Sequence, residues 1–231
     1  METLVTQIVS VVLRRIMTEV TDTNIRIRQK AHELFMQYGL KSVSMDDIAS
    51  NLGISKKTIY HYYADKDQLV DEVVGNIISH NQDMCNSDRS KAENAVHEVF
   101  LAMDQVVEMF RSMNPSVLFD MQKYYPGAYQ KFTQHKNDYL YKVIRENILR
   151  GIKEELYRPD VNTDIMARFR VESILVAFNP DFHTKVKATL AEIKEELSYH
   201  FLFGLVSQKG YKLILKYLQE RLKKQTADAT N

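Results

Sequence analysis

Across most of the 231 residues, apolar side chains recur three and four positions apart, and only 4 prolines and 7 glycines interrupt them. That period belongs to one-sided α-helices, because 3.6 residues make a turn and a core-facing stripe needs an apolar residue at each pass. No pair of segments alternates as paired strands do, so the spacing predicts an all-α fold. A first helix is expected from about Asp22 to Tyr38, with Ile27, Ala31, Leu34, Phe35 and Tyr38 inward and Gly39 as its stop. Ser44-Met45-Asp46-Asp47 has the form of a capping box, with Asp in place of Glu, opening a second helix that closes at Leu52 and Gly53. Ser55 caps a short third helix to about Tyr62, and Asp65 caps a fourth to about His80. Asn81 to Ser90 reads as a polar loop. Helical patterns then cover about 91–113, 116–124, 127–157, 161–178, 184–207 and 209–224, broken at proline or glycine.

Residues 45–64 carry more than periodicity. Ala49 is small enough for two helices to cross closely, and Gly53, four residues on, can take the positive φ of a tight turn. Ile48, Leu52, Ile54, Ile59 and Tyr62 fall where side chains point inward to hold a steep helix pair. Ser55, Lys56, Lys57, Thr58, Tyr60 and His61 are left at the exposed start and outer face of the third helix. Cations and hydroxyls at a helix N-terminus suit phosphates and base edges of a major groove. Lys66, near the start of helix four, is placed for a flanking phosphate. The competing reading is an αα-hairpin inside a bundle, with the two lysines as a solvated face. The joint fit of Ala49, Gly53, both capping serines and the truncated third helix favours a DNA-binding helix-turn-helix.

The bulk numbers narrow the remaining classes. A formal net charge of +1 requires a local basic patch rather than a basic tail if nucleic acid is bound. The single cysteine, Cys85, forbids an internal disulfide and suits a cytoplasmic protein. Leu4 to Leu13 is too short to span a bilayer and has its arginines on the wrong side for a signal peptide, so no membrane partner is expected. Residues 1–21 read as an N-terminal extension, of which residues 1–16 are either a dispensable arm or a mis-assigned start. Glu93 and His97, four apart, lack further metal ligands nearby and read as an ion pair. No catalytic residues, cofactor or metal site are expected, and the chain is not read as an enzyme.

The stretch from Ile27 to Val73, containing ELFMQYGLKSVSMDDIASNLGISKKTIYHYYADKDQLVDEVV, closely resembles the DNA-binding domain of TetR-family repressors. The resemblance covers about a fifth of the chain and lies in the order of its parts: an aromatic before the Gly39 stop, a hydroxyl-capped second helix, a glycine turn, and Lys-Thr-Ile-Tyr-His-Tyr-Tyr. It implies an all-helical homodimer with a divergent C-terminal ligand domain. It also implies DNA contacts at Ser44, Lys56, Lys57, Thr58, Tyr60, His61 and Lys66. The expected organisation is a helix-turn-helix domain over 22–68 and an effector-binding and dimerisation domain over 69–225.

Within that second part, Val186, Leu190, Ile193, Leu197, Phe201 and Leu205 form one stripe, and Tyr211, Ile214, Leu215, Leu218 and Leu222 another. Paired with a second copy they would make a four-helix dimer interface, with Gly204 permitting close approach; alternatively they pack on the chain's own core. Lys194, Glu195 and Glu196 are expected on the wet side. Met103, Phe110, Phe119, Tyr124, Tyr125 and Tyr129 belong to a segment dense in methionine and aromatic residues, suited to a small-molecule effector or to plain core. The function expected is a regulator, a repressor released from a palindromic operator in double-stranded DNA by an effector. The alternative is a helical protein-interaction module that has lost operator recognition.

Overall fold

The short-range signals place the helices and turns of residues 22–62 as expected, but Tyr38, expected inward, is 52% exposed on the last turn of the first helix. In a computed structural model describing residues 22–179, 182 and 185–228, α1 spans 22–38 and ends at Gly39, whose φ of +87° is open to glycine at little cost. The expected N-terminal extension lies outside the described residues. Helix α2, Met45–Leu52, begins with a complete capping box: Ser44 Oγ accepts from Asp47 N, and the Asp47 carboxylate accepts from Ser44 N at 2.7 Å. It ends at Gly53 with φ +65°. Helix α3 is Lys56–Tyr62, capped by Ser55. Helix α4 is Lys66–Lys91, α5 Ala95–Arg111, α6 Ser116–Tyr124 and α7 Pro126–Gln134. A π-helical segment, His135–Leu140, leads into α8, Tyr141–Lys153. Then come α9, Thr163–Ser173, a 3-10 turn at Val176–Phe178, α10, Leu190–Leu205, and α11, Gln208–Asp228.

The chain forms two compact units, and the division falls within α4. Unit 1 takes the described part of Met1–Asn76 together with Ser116–Tyr129. Ile27, Phe35, Leu40, Ile48, Ile59 and Leu69 are fully buried there. Helix α6 is a member of this unit through specific contacts: the buried Asp120 carboxylate accepts from Lys41 N at 2.9 Å, tying α6 to the α1–α2 turn. Packing is close at that turn, since a Cβ on Gly39 would stand 2.6 Å from Ser116 Oγ. The expected boundary at residue 68 is therefore corrected. The N-terminal unit extends along α4 and includes a helix from the middle of the sequence.

Unit 2 comprises Ile77–Pro115 and Gln130–Asn231, in its described part. The expected loop at 81–90 is helix instead, continuous with α4. Its polar residues serve contacts inside the unit rather than solvent. Asn81 Oδ1 meets His135 Nε2 at 2.9 Å, Gln82 carbonyl accepts from Tyr139 Oη at 3.2 Å, and buried Asp88 accepts from Gln105 at 2.7 Å. The core joins Val96 and Phe100 of α5, Ile148 of α8, Tyr157, and Phe201, Leu202 and Leu205 of α10 to Ile214 of α11. Tyr157 lies flat on Gly151, where a Cβ would come within 2.1 Å of its ring, and donates its hydroxyl hydrogen towards Asn147 Oδ1 (3.1 Å) and Ala95 O (3.2 Å). Beside it, Arg158 N donates to Leu205 O and Ser207 N to Leu156 O, each at 2.9 Å, making an isolated antiparallel β-bridge between Tyr157 and Val206.

Candidate nucleic-acid interface

The capped pair α2–α3 fixes how α3 is presented. Ile59 is its buried anchor, while Ser55, Lys56, Lys57, Tyr60 and His61 are exposed and Thr58 is half-buried. Ser55 Oγ accepts from Thr58 N at 3.1 Å and shares a hydroxyl–hydroxyl bond of 2.8 Å with Thr58, so both hydroxyls sit at the first turn. Lys56 pairs with Asp46 at 2.8 Å, which raises its pKa, and its ammonium lies 6.0 Å from the Tyr60 ring. That pair is exposed on both sides, so water screens it and a phosphate can displace the carboxylate cheaply. Lys57 makes no ion pair among the described residues. Tyr60 is 43% exposed, a large aromatic edge left outside the core. Ser44 differs from these: its hydroxyl is engaged with Asp47 in the capping box, and the bond holds the Asp47 carboxyl below its ordinary range.

Two positions depart from expectation. Tyr62 is only half-buried, and Tyr63 is the inward residue, its hydroxyl donating to Asn24 Oδ1 at 2.8 Å and so tying α3 to α1. The reason is that α3 ends at Tyr62 and Tyr63 turns to extended backbone, φ −133°, so the helical period no longer applies. Lys66, expected at a flanking phosphate, turns inward. Its ammonium donates to Leu40 O and stands 5.7 Å from the Phe35 ring and 5.6 Å from the Tyr125 ring. Burial lowers its pKa despite three nearby aspartates. The carbonyl at the end of the α1 stop and two aromatic faces hold the cation there but only partly offset the loss of its water. Arg26 and Arg28, on the first turns of α1, went unnoticed in the sequence. The Arg28 charge bears on the Tyr63 phenol, which places this basic turn at the α3 end.

The dimer residues divide sharply. Leu190, Ile193, Phe201, Leu205 and Ile214 are buried within unit 2, and Leu197 packs against the cluster around Phe110. They are corrected to core. The outward apolar set is instead Phe203, Tyr211, Leu215 and Leu222, with Leu218 partly covered and Val186 at 36% exposure. Phe203 and Tyr211 stand 5.8 Å apart, centroid to centroid, joining α10 to α11, and a Cβ on Gly204 would meet nothing. Tyr211, Leu215, Leu218 and Leu222 follow four-, three- and four-residue steps along one face of α11.

The aromatic candidates for an effector are divided between the units. Met103 and Phe110 are buried in unit 2, Phe110 edge-on to Phe178 at 5.5 Å. Phe119, Tyr124, Tyr125 and Tyr129 belong to unit 1. There Phe119 is exposed, Tyr124 lies beneath the Lys41 ammonium at 5.2 Å, and Tyr125 is buried against Lys66 with its phenol pushed up to about 12. Burial raises the Cys85 thiol to about 11, far from a reactive thiolate. His97 accepts from Glu93 N at 3.2 Å and stacks on Tyr217, a helix-start role in place of the expected ion pair. Lys194 is not on the wet side but 4% exposed.

Residues 27–73 match the model of the bacterial regulatory proteins of the tetR family. An uncharacterized HTH-type transcriptional regulator of Bacillus subtilis, YvaF, is 26% identical over 176 residues, which is 74% of this chain and 90% of that protein. The HTH-type transcriptional repressor KstR2 of Mycobacterium tuberculosis is 23% identical over 67% of this chain and 79% of its own length. Among solved structures, a TetR-family regulator from Agrobacterium tumefaciens superposes with a TM-score of 0.69 at 13% identity, covering 81% of this chain and 100% of that one.

Proposed function

Because the chain belongs to the tetR family of bacterial regulatory proteins and is a DNA-binding transcriptional regulator, we propose that it acts as a homodimeric repressor on a palindromic operator, released by a small molecule bound within residues 91–180. The observation that carries this reading is α3: Lys56, Lys57, Tyr60 and His61 stand exposed on a helix of seven residues whose start and approach are fixed by two caps and a left-handed glycine. Phosphate contacts from Lys57, and from Lys56 after exchange of Asp46, supply affinity; Thr58, Tyr60 and His61 are the candidates for base edges. Ser44 and Ser55 orient the helices and offer hydroxyls to the backbone. Lys66 is left out of the contact set, and Arg26 and Arg28 are added to it.

Near-neutral net charge makes the second copy part of the affinity, since one small basic cluster is doubled by two-fold symmetry. The surface proposed for that partner is the α10–α11 face of Phe203, Gly204, Tyr211, Leu215, Leu218 and Leu222. A two-fold interface sets a patch against itself, and this patch is apolar, continuous and shallow at Gly204. An effector acts by differential affinity for the DNA-bound and free states, so operator DNA weakens effector binding by the same factor.

The test is a gel shift against the gene's own upstream region at several salt concentrations. A specific palindrome with a steep salt slope is expected, and Lys56→Ala with Tyr60→Ala abolishes binding while the dimer persists. Weak, sequence-blind binding alone would favour a helical interaction module instead.

A further inference from the structure

In unit 2, Lys194 and Arg170 are withdrawn from water with no carboxylate set against them among the described residues. Lys194, on α10, is 4% exposed, the depth at which charged residues are normally paired. Its ammonium donates to Ile174 O and stands 5.2 Å from the ring centroids of both Phe110 and Phe178. Arg170, on α9, is half-buried; its guanidinium donates to Ser198 Oγ at 2.6 Å and lies 5.4 Å from the Phe201 ring. Ser198 Oγ donates onward to Lys194 O at 2.7 Å, so both cations converge on one turn of α10. Elsewhere in the unit the pattern differs: Arg150 faces Glu98 and Glu154, Arg221 faces Asp104 and Glu195, and buried Lys136 faces Glu172.

Among the described residues the buried ammonium faces only a carbonyl, two rings and another cation, and such a group tends to lose its proton or to meet an anion. Burial, with the Arg170 charge, brings the Lys194 ammonium down to about 7. The walls around it are apolar: Leu190, Ala191 and Ile193 of α10 with Phe110 and Phe178. A free inorganic anion would leave those walls unused, whereas a carboxylate on an apolar body meets both parts.

We infer that Lys194 and Arg170 form the anion-receiving end of the effector site, and that the effector is a carboxylate carried on an apolar body lying against Phe110, Phe178 and Ile193. This rests on the reading that a small-molecule effector binds the C-terminal part of the chain, extends that site from residues 91–180 onto α10, and names the ligand class for it. The carboxylate restores the Lys194 charge, so above neutral pH binding takes up one proton and weakens about tenfold per pH unit. Arg170 is the only other charged group facing Lys194 among the described residues; burial lowers it too, to about 10, so near neutral pH it carries its charge.

The experiment uses the full chain labelled with 13C-lysine and no DNA, so that its result stands apart from the gel shift. Hexanoate, decanoate, benzoate and 3-phenylpropionate are each titrated beside the matching primary amide, and the Lys194 Cε signal, assigned by its loss in Lys194→Met, is followed with pH. At least one carboxylate is expected to bind tenfold or more tightly than its amide, to raise the Lys194 titration midpoint by a pH unit or more, and to lose that advantage in Lys194→Met. Arg170→Met, a second variant, is expected to weaken the same carboxylate while leaving its amide unchanged. Equal binding of acid and amide, an unmoved Lys194 midpoint, or no response to any of the four carboxylates overturns the inference. A carboxylate that binds in this way to a protein without operator affinity would leave the inference standing and remove the repressor reading instead.

Discussion

Replacing Lys194 by methionine should stabilise the protein, and by an amount that depends on pH in a predictable way. The ordinary lysine value of 10.5 and the buried value of about 7 differ by a free energy of about 5 kcal/mol, at ~1.4 kcal/mol per pH unit. Methionine has nearly the same length and fits the apolar surroundings, but it orphans the Ile174 carbonyl, which returns ~1–2 kcal/mol. The net gain at pH 7 is therefore about 3 kcal/mol. The pKa of Lys194 is lowered on folding, so between pH 7 and 10.5 the unfolded chain holds a proton that the folded chain does not. Stability of the natural protein then rises with pH across that window, by up to ~1.4 kcal/mol per unit, while the methionine variant lacks this contribution. Below pH 7 both states are protonated and the gap is constant; above 10.5 both are neutral and the gap has reversed, leaving the natural protein ahead by the ~1–2 kcal/mol of the Ile174 hydrogen bond. Urea unfolding of the two proteins at pH 7, 8, 9 and 9.5, at one fixed protomer concentration, reads the difference directly. A difference that stays level from pH 7 to 9.5 would refute the reasoning, because it would mean that Lys194 reaches water or an anion in the folded state.

Four further outcomes follow from the N-terminal unit and the C-terminal helices. Ser44→Ala removes the α2 capping box and should cost ~1 kcal/mol in thermal or urea unfolding, with the α3 surface otherwise intact. Gly39→Ala should cost about 2 kcal/mol or more, because a positive φ and a clash with Ser116 Oγ at 2.6 Å add together, whereas Gly53→Ala, in open space, carries only the backbone cost of ~1 kcal/mol. In operator binding, Lys57→Ala should reduce the salt slope by about 1, while Lys66→Met leaves it unchanged; a reduced slope in the latter would return Lys66 to the phosphate contacts. Leu215→Glu combined with Leu222→Glu should give a folded monomer by sedimentation, with operator affinity reduced at least tenfold.

The N-terminal unit was legible because its signals are short-range. A capping box lies within four residues, a glycine turn within one, and the crossing of α2 over α3 needs only Ala49 and Gly53 between them. What escaped there was long-range or terminal. Nothing in the order of residues announces that Asp120 belongs at Lys41 N, 79 positions away. Tyr63 and Tyr62 exchange roles because the helix stops between them. Lys66 looks like a phosphate ligand by position, and its true partner is a carbonyl 26 residues back. The segment 81–90 was lost for a related reason: Asn81, Gln82 and Asp88 look solvated until His135, Tyr139 and Gln105 are brought to meet them.

The C-terminal helices expose a deeper limit. A stripe at period 3.6 says that a helix has an apolar face, but not what covers it, and α10 and α11 each present two. On α10, Leu190, Ile193, Phe201 and Leu205 look inward while Phe203 and Gly204 look out; on α11, Ile214 and Tyr217 look inward while Tyr211, Leu215 and Leu222 look out. The inward stripe of α10 is the longer one because it must meet α5 along its length, so counting apolar residues selects the core there and passes over Phe203, while on α11 the same count takes in Tyr211, Leu215, Leu218 and Leu222 of the outer patch together with buried Ile214. Lys194 sits inside that inward stripe, one position after Ile193, where its charge marks it as surface by every local rule. Its burial is therefore costly, and a cost of several kcal/mol is a large part of the ~5–15 kcal/mol that holds a domain together. A methionine would fill the same space without that cost. The lysine therefore makes better physical sense as a group whose charge is completed when an anion arrives than as a group serving the fold alone.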